Sequence, residues 1–442
     1  MTNRDDVIRI RGARIIDPFR GIDVKDDELH VAGGRIVSRD DVRDGSRPVR
    51  VVDAHGLWLV PRLTDMHVHL RSPGQEWKED LVSGSQAAAA GGFTIVAPMG
   101  NTDPPVDIPS LVEWQRHRGD AIGLVRIFPI GTITHGLQGE RLADLYTLEQ
   151  AGAVGFSDDG RVVASARLMR AALSYSVSLR HPIIEHAEDR ALAEGTVMHE
   201  GDVSQRLGLP GVPEQAEALI AWRDVELAGL TGGRLHLAHV SSLGTLAALA
   251  YAKRSGLTVS AEVTPHHLYL TDEAVEAWDY NPVTKVNPPL RPQSIRQALI
   301  EAVVSGLVPV IASDHAPHHA DEKAQPYSAA PYGISGLETS LGTVLTVLLH
   351  SGRMNPVDLF ARLSKGPDQV MGLNYPGLLT GAEADLTLID PNARWTVDPA
   401  RFYSKGHNTP MAGEQLTGRA VATMCRGRWT MRDGEVLEAD GE

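Results

Sequence analysis

The sequence predicts an α/β protein, a (β/α)8 barrel of the TIM type with a small β-sandwich domain built from both chain termini. Three observations predict it. Short apolar runs alternate with Ala- and Leu-rich helical stretches from about residue 61 to 375. Both ends of the chain read as short strands without intervening helices. His and Asp gather just after the apolar runs, where such a barrel carries its site. The expected division is 1–60 and 376–442 for the two parts of the small β domain, with 61–375 as the barrel.

VIRIRGARIIDP, ELHVAGGRIVSRD and VRVVDAHGLWLVP open the chain, each joining apolar or β-branched residues to Gly, Asp or Pro punctuation. The barrel strands are then expected at Leu63–Leu70, FTIVAP, LVRIFPI, AVGFS, PIIEH, RLHLAHV, LTVSAEV and VPVIASD. Parallel strands covered on both faces show continuous apolar runs rather than alternation. LVSGSQAAAAGG, SARLMRAALSYSVSL, EQAEALIAWRDVELAGL and LGTLAALAYAKRSG supply helical crossovers. ADLTLIDPNARWTV and AVATMCRGRWTMRDGEVL return to strands. Neither terminal β segment buries much alone, so the two are expected to pair.

Composition narrows the chemistry. The chain has 442 residues, 42% hydrophobic and 22% charged, as a globular protein has. Its net charge of −14 argues against nucleic acid and anionic membranes as partners. With Cys425 as the only cysteine, no intrachain disulfide or thiolate cluster can form, and a metal must be held by His, Asp or Glu. No stretch approaches the ~20 apolar residues of a membrane span, and the start lacks a signal-peptide run, so a cytoplasmic location is expected.

Asp65-Met-His67-Val-His69-Leu-Arg71 is the strongest local element. Residues two apart on a strand share a face, so His67 and His69 can offer two imidazoles to one ion; alone, the pair reads equally well as core histidines. Asp158 and Asp159 after AVGFS, His186 in PIIEHAED, His239 in LHLAHVSS and Asp314 in VIASDHAPHH change that balance. Four His and two carboxylates from five strands supply nitrogen and oxygen ligands for two divalent ions; zinc suits them, and manganese or cobalt can occupy such a set. Two such cations acidify a water and polarise an amide carbonyl. Asp314 can then move a proton between that water and the departing amide nitrogen, or serve as a plain ligand. Arg71 lies two residues past His69 and can bind a carboxylate in a bidentate manner.

As a set, DMHVHLRSPGQEWKEDLVSGSQAAAAGGFTIV, NTDPP, GFSDDG, IIEHAED, LAHVSS, EVTPHHLYLTDE, KVNPPLR, IASDHAPHH and PYGISGLET resemble the amidohydrolase superfamily. Within it, the chain resembles the dihydroorotases of the shorter bacterial metal-dependent type. The resemblance spans residues 65 to 339. It implies that His67, His69 and Asp314 hold one metal, and His186 and His239 the other. It also implies an aspartate bridge in place of a carboxylated lysine, Asp159 by its spacing to His186, with Asp158 the alternate. Two Zn2+ per subunit are implied, or one in practice. Arg71, Asn101 and His318 look like the clamp for the substrate carboxylate, beside His69, while Asn287 and the backbone at Tyr332 and Gly333 read the ring edge. Asp314 is the implied catalytic acid and base. His135, His266, His267, His315 and His319 receive no catalytic role. Arg62-Leu-Thr-Asp65, Met99-Gly100-Asn101 and Ser72 depart from the frequent family residues, and none removes a ligand; Gly100 bears on the pose of Asn101.

The activity implied is the reversible hydrolysis of (S)-dihydroorotate to N-carbamoyl-L-aspartate in pyrimidine (UMP) biosynthesis. A hydantoinase or allantoinase is the second enzyme reading, opposed by the missing lysine. A third reading is a metal-free scaffold for aspartate transcarbamoylase, opposed by the filled ligand positions. The resemblance allows two partner expectations, a homodimer and an association with aspartate transcarbamoylase.

Overall fold

The computed structural model describes residues 7–40 and 48–437. Eight parallel strands follow one another around a barrel: Leu63–Val68, Phe93–Pro98, Arg126–Ile127, Phe156–Ser157, Ile183–Glu185, Leu235–Leu237, Val259–Val263 and Val310–Ile311. A bridge from Gly131 to Phe156 joins the third strand to the fourth. The ring closes where Val68 pairs with His315 and the His69 N–H donates to the His315 carbonyl at 2.8 Å. Both LTDMHV and FTIVAP are buried along their whole length, which is why FTIVAP reads as a run without polar alternation and why Asp65 and His67 are buried polar groups. Met66, Ala97, Ile130, Ile184, Ala238, Val310 and Ala312 pack together as one interior cluster, mixing large and small side chains.

Among the described residues, a second sheet has nine strands, drawn from both ends of the chain. Val7–Asp17, Ile22–Ala32, Arg35–Val37, Val49–Asp53 and Trp58–Pro61 come from the N-terminal side. Leu386–Thr396, Gln415–Cys425, Arg428–Arg432 and Glu435–Val436 come from the C-terminal side. The halves join where Leu386–Ile389 pairs antiparallel with Trp58–Pro61. Val7–Asp17 changes partner along its length: Val7–Arg11 lies parallel to Val49–Asp53, and Arg14–Ile15 to Trp58–Leu59. Ile10, Ile15, Val31, Leu59, Leu388 and Met424 form a core of this sheet's own. No helix of the described residues is long and apolar enough to cross a membrane.

Two features tie the sheet to the barrel. Arg62, at the turn between Trp58–Pro61 and the first barrel strand, is buried, ion-paired with Asp368 and stacked on the Tyr375 ring with its guanidinium carbon 4.1 Å from the centroid. Burial lowers its pKa to about 10, so it remains a cation. Asp368→Ala would strand that charge, and a loss of about 3–5 kcal/mol is expected in denaturant unfolding; a loss below 1 kcal/mol would show that the pair is dispensable. The second feature is the connection between Leu386–Thr396 and Gln415–Cys425, which leaves the sheet and runs along the barrel mouth. Glu338 accepts from the N–H groups of Tyr403 and Ser404 at 3.0 and 3.1 Å, and Glu79 accepts from the Ser404 hydroxyl at 2.5 Å.

Candidate metal centre and substrate pocket

The barrel brings the expected ligand residues together at the C-terminal ends of its strands. His67 lies within the first strand and His69 just beyond it; Asp159, His186, His239 and Asp314 follow the fourth, fifth, sixth and eighth strands. All six are buried. His239 and Asp314 adopt positive φ, 32° and 47°, as does Arg71 at 57°. For residues with a Cβ this backbone is costly and persists where the surroundings hold it, as at functional sites.

Asp159 stands at the centre of four imidazoles. Its Oδ1 lies 3.5 Å from His67 Nε2, 3.6 Å from His186 Nδ1 and 3.5 Å from His239 Nε2. Its Oδ2 lies 3.4 Å from His69 Nε2. Asp314 Oδ1 faces the other side of the first pair, 3.2 Å from His69 Nε2 and 3.5 Å from His67 Nε2. Two donor groups result, His67-Asp159-His239 and His67-His69-Asp314, each with its donor atoms within 4.8 Å of one another. His67 Nε2 and Asp159 Oδ1 are buried without a hydrogen-bond partner. Orphaned polar atoms of this kind are costly, and a cation satisfies both at once. Burial works against the charge on Asp159, but the imidazoles of His67, His186 and His239 outweigh it and hold the carboxyl well below its ordinary range.

The backs of these ligands are held as well. Glu262 meets His67 Nδ1 at 2.5 Å through one oxygen and His236 Nε2 at 3.2 Å through the other. A carboxylate behind a ligating histidine fixes which ring nitrogen faces the ion. The paired imidazoles outweigh the burial of Glu262 and lower its pKa to about 2. Asp158, the alternate bridge, is committed elsewhere: it accepts from the N–H groups of Ile133 and Thr134 at 2.8 and 2.9 Å and from the Thr134 hydroxyl. Asn101 differs from its expected place in a carboxylate clamp. Its Oδ1 lies 3.0 Å from His69 Nδ1, and its Nδ2 donates to the main-chain and side-chain oxygens of Asp159 at 3.2 and 3.3 Å. Its amide is therefore spent on orienting two ligand residues.

Arg71 and His318 do meet. Arg71 Nη2 is 3.4 Å from His318 Nε2, and Arg71 Nε donates to the Pro317 carbonyl at 3.3 Å. Burial lowers the Arg71 pKa to about 10, leaving a cation. His318 is driven down to about 2 by burial and by the nearby charges of Arg71 and Lys323, so the ring is neutral. The Tyr332 carbonyl lies 2.8 Å from His318 Nε2 and can only accept, which puts the ring proton on Nε2. An incoming carboxylate therefore competes with that carbonyl for His318. At Gly333, the N–H donates to the Lys285 carbonyl at 2.9 Å and the carbonyl accepts from Asn408 Nδ2 at 3.0 Å. Its backbone is thus engaged by the protein rather than open to a ring edge, as the motif had suggested. Its φ of +122°, with a built Cβ falling 2.7 Å from Ala316, admits only glycine. Asn287 lies with its Nδ2 3.4 Å from His186 Nε2, beside a cavity of about 610 Å³ lined also by Glu188, Thr196 and Tyr332.

Of the five histidines left without a role, four have structural partners. His267 bonds the Thr264 hydroxyl at 2.7 Å and the Pro288 carbonyl at 3.0 Å. His315 faces Glu79 at 3.2 Å, and His135 faces Asp107 at 2.7 Å. His319 caps the helix Ala320–Lys323. His266 is buried with an unpartnered Nε2. Sequence reasoning missed Glu262 and Asn408. A lone glutamate inside the run LTVSAEV was the available signal for the first; Asn408 had none.

Comparison with known proteins identifies the family and the fold. A family model described as Dihydro-orotase-like matches residues 56–244. A dihydroorotase of Anaeromyxobacter dehalogenans is 46% identical over 424 residues, covering 96% of this chain and 97% of that protein. One from Pelotomaculum thermopropionicum is 45% identical over 424 residues, covering 96% and 98%. Among solved structures, the L-hydantoinase of Arthrobacter aurescens superposes with a TM-score of 0.85 at 24% identity, covering 97% of each chain. A D-hydantoinase superposes with a TM-score of 0.81 at 21% identity, covering 98% of each. At those identities the structures share the fold alone.

Proposed function

The chain belongs to the dihydroorotase family, and on that premise we propose that it interconverts dihydroorotate and N-carbamoyl-aspartate as a metal-dependent cyclic amidohydrolase of pyrimidine synthesis. The observation that carries the reading is the single carboxylate, Asp159, set among four imidazole nitrogens at 3.4 to 3.6 Å. His67, His69 and Asp314 would hold one divalent cation, His186 and His239 the other, with Asp159 between them. The nitrogen and oxygen donor set fits zinc, two per chain. Bound there, such cations lower the pKa of water and polarise a carbonyl.

The chain's own residues supply the rest. Asp314 Oδ receives the proton of the attacking water and passes it to the ring nitrogen as the C–N bond breaks and the new C–O bond forms. In ring closure the same proton travels back. Arg71 fixes the substrate carboxylate, with His318 Nε2–H as the second donor once it exchanges the Tyr332 carbonyl for the ligand. Asn101 holds His69 and Asp159 in place, and Asn287 at the edge of the 610 Å³ cavity is placed to meet the ring. An aspartate where hydantoinases generally carry a modified lysine supports this reading over a hydantoinase. Filled ligand positions support it over an inert scaffold. A cytoplasmic location and a homodimer follow from the same premise, with aspartate transcarbamoylase a partner to seek by co-purification.

The test is a side-by-side assay of carbamoyl-aspartate, dihydroorotate, hydantoin and allantoin on metal-loaded protein. Turnover of the first two well above the others is expected. Preference for hydantoin would overturn the assignment, and absence of both bound metal and turnover would favour the scaffold.

A further inference from the structure

We propose that Asn408, carried by the connection between two strands of the terminal sheet, is a positioning residue for the pocket that receives the substrate carboxylate. This rests on the functional reading above, which places that carboxylate at Arg71 and His318.

Asn408 is buried, and its amide bridges the two loops that form the pocket wall. Its Oδ1 accepts from the His318 N–H at 3.1 Å and from the Ser335 hydroxyl at 3.2 Å. Its Nδ2 donates to the Gly333 carbonyl at 3.0 Å, and its own carbonyl accepts from the Ser335 N–H at 2.9 Å. One side chain thus spans the loop that bears His318 and the loop that bears Tyr332. Those are the two partners of the hydrogen bond that a substrate carboxylate must open, His318 Nε2–H to the Tyr332 carbonyl.

The same segment also backs the third element of the pocket. A Cβ built on Gly406 would fall 2.5 Å from Pro317 Cβ and 2.8 Å from Asn408 Oδ1, so the segment lies flush against Pro317. Pro317 supplies the carbonyl that receives Arg71 Nε. Arg71, His318 and Tyr332 are therefore referred to one short stretch of chain. That stretch is itself anchored at Tyr403 and Ser404 by Glu338 and Glu79. Among the described residues none of its hydrogen bonds reaches His67, His186 or His239: Glu262 backs His67, while His186 and His239 meet each other and Asn287 lies beside His186. Loss of Asn408 should therefore disturb carboxylate recognition and leave the metal donors in place.

The experiment uses the full chain with its metal and compares Asn408→Ala and Asn408→Asp with the parent. Asn408→Asp keeps an acceptor for His318 and Ser335 and loses the donor to Gly333. We expect KM for dihydroorotate to rise about 10-fold or more in Asn408→Ala and by less in Asn408→Asp, with kcat and metal content within about twofold. Hydrogen exchange gives a second reading that needs no substrate: residues 316–319 and 333–335 should exchange faster in Asn408→Ala, and 64–69 and 183–186 should not. Unchanged exchange in the two loops would overturn the proposal whatever the substrate is. Faster exchange with unchanged KM would reduce Asn408 to a structural staple and overturn it too. A parent enzyme that binds metal and turns over hydantoin but not dihydroorotate would instead remove the functional reading, and the positioning role with it.

Discussion

Asp159→Ala is expected to abolish turnover and strip the centre of metal, while Asp158→Ala leaves the metal in place and weakens the fold. The two aspartates are neighbours in sequence and face different company. Asp159 has its carboxylate oxygens within 3.6 Å of all four imidazoles, so its removal takes away the one carboxylate that faces every histidine of the centre. A partner standing behind a ligand typically costs 10–100-fold, and a loss beyond ~10²-fold is expected for the shared ligand itself. Removal of Asp158 leaves the buried N–H groups of Ile133 and Thr134 unpaired, at roughly 1–3 kcal/mol for each group left unsatisfied. Elemental analysis paired with a thermal melt reads both variants. A metal-free Asp158→Ala beside a metal-replete Asp159→Ala would move the bridge by one residue.

Asp314→Asn should lower kcat by ~10²-fold or more, about 2.7 kcal/mol of barrier, with product binding retained because Arg71 and His318 are untouched. Burial raises the Asp314 carboxyl, yet the imidazoles of His67 and His69 overcome it and hold the group below its ordinary value. Asp314 is thus ionised through the working range and ready to accept a proton. Ring opening needs that ionised form together with loss of a proton from the attacking water, and on the latter account it should speed up as pH rises. Ring closure begins from the protonated form and should slow. The observed pKa values belong to the coupled cluster rather than to one residue. Near-normal turnover in Asp314→Asn with metal bound would leave Asp314 a ligand only, and the proton carrier would have to be sought at His318.

The barrel was legible because its strands are covered on both faces: FTIVAP is apolar or small throughout, and burial is what that pattern records. The His67-His69 pair was legible through the two-residue repeat of a strand. Other parts had no such signature. Glu262 meets His67 across the barrel, and a single glutamate in LTVSAEV reads locally as a solvent-facing residue of an edge. Asp158 and Asp159 could not be ranked by residue pattern alone, since what distinguishes them is tertiary: the donors of Ile133 and Thr134 for one and the four imidazoles for the other. Asn101 was expected in the carboxylate clamp with Arg71 and His318 through the family resemblance; the fold turns its amide toward His69 and Asp159. Asn408 sits in SKGHNTP, which reads as a turn, and its partners lie 75 and 90 residues away in sequence.

Trp58–Pro61 lies between Val7–Asp17 and Leu386–Thr396, and that placement sets a timetable for biogenesis. During synthesis Val7–Asp17 is made before Trp58–Pro61, whereas the partner Leu386–Thr396 emerges only after the whole barrel. At about 5–20 residues per second that interval is tens of seconds. Throughout it one edge of Trp58–Pro61 presents unpaired backbone groups, as an open sheet edge does. The nascent chain is therefore most open to mispairing while its barrel is being made, and the segment made after the barrel both covers that edge and delivers Asn408 to the pocket. Truncations short of the final strands should accumulate as insoluble protein rather than as a weakened enzyme.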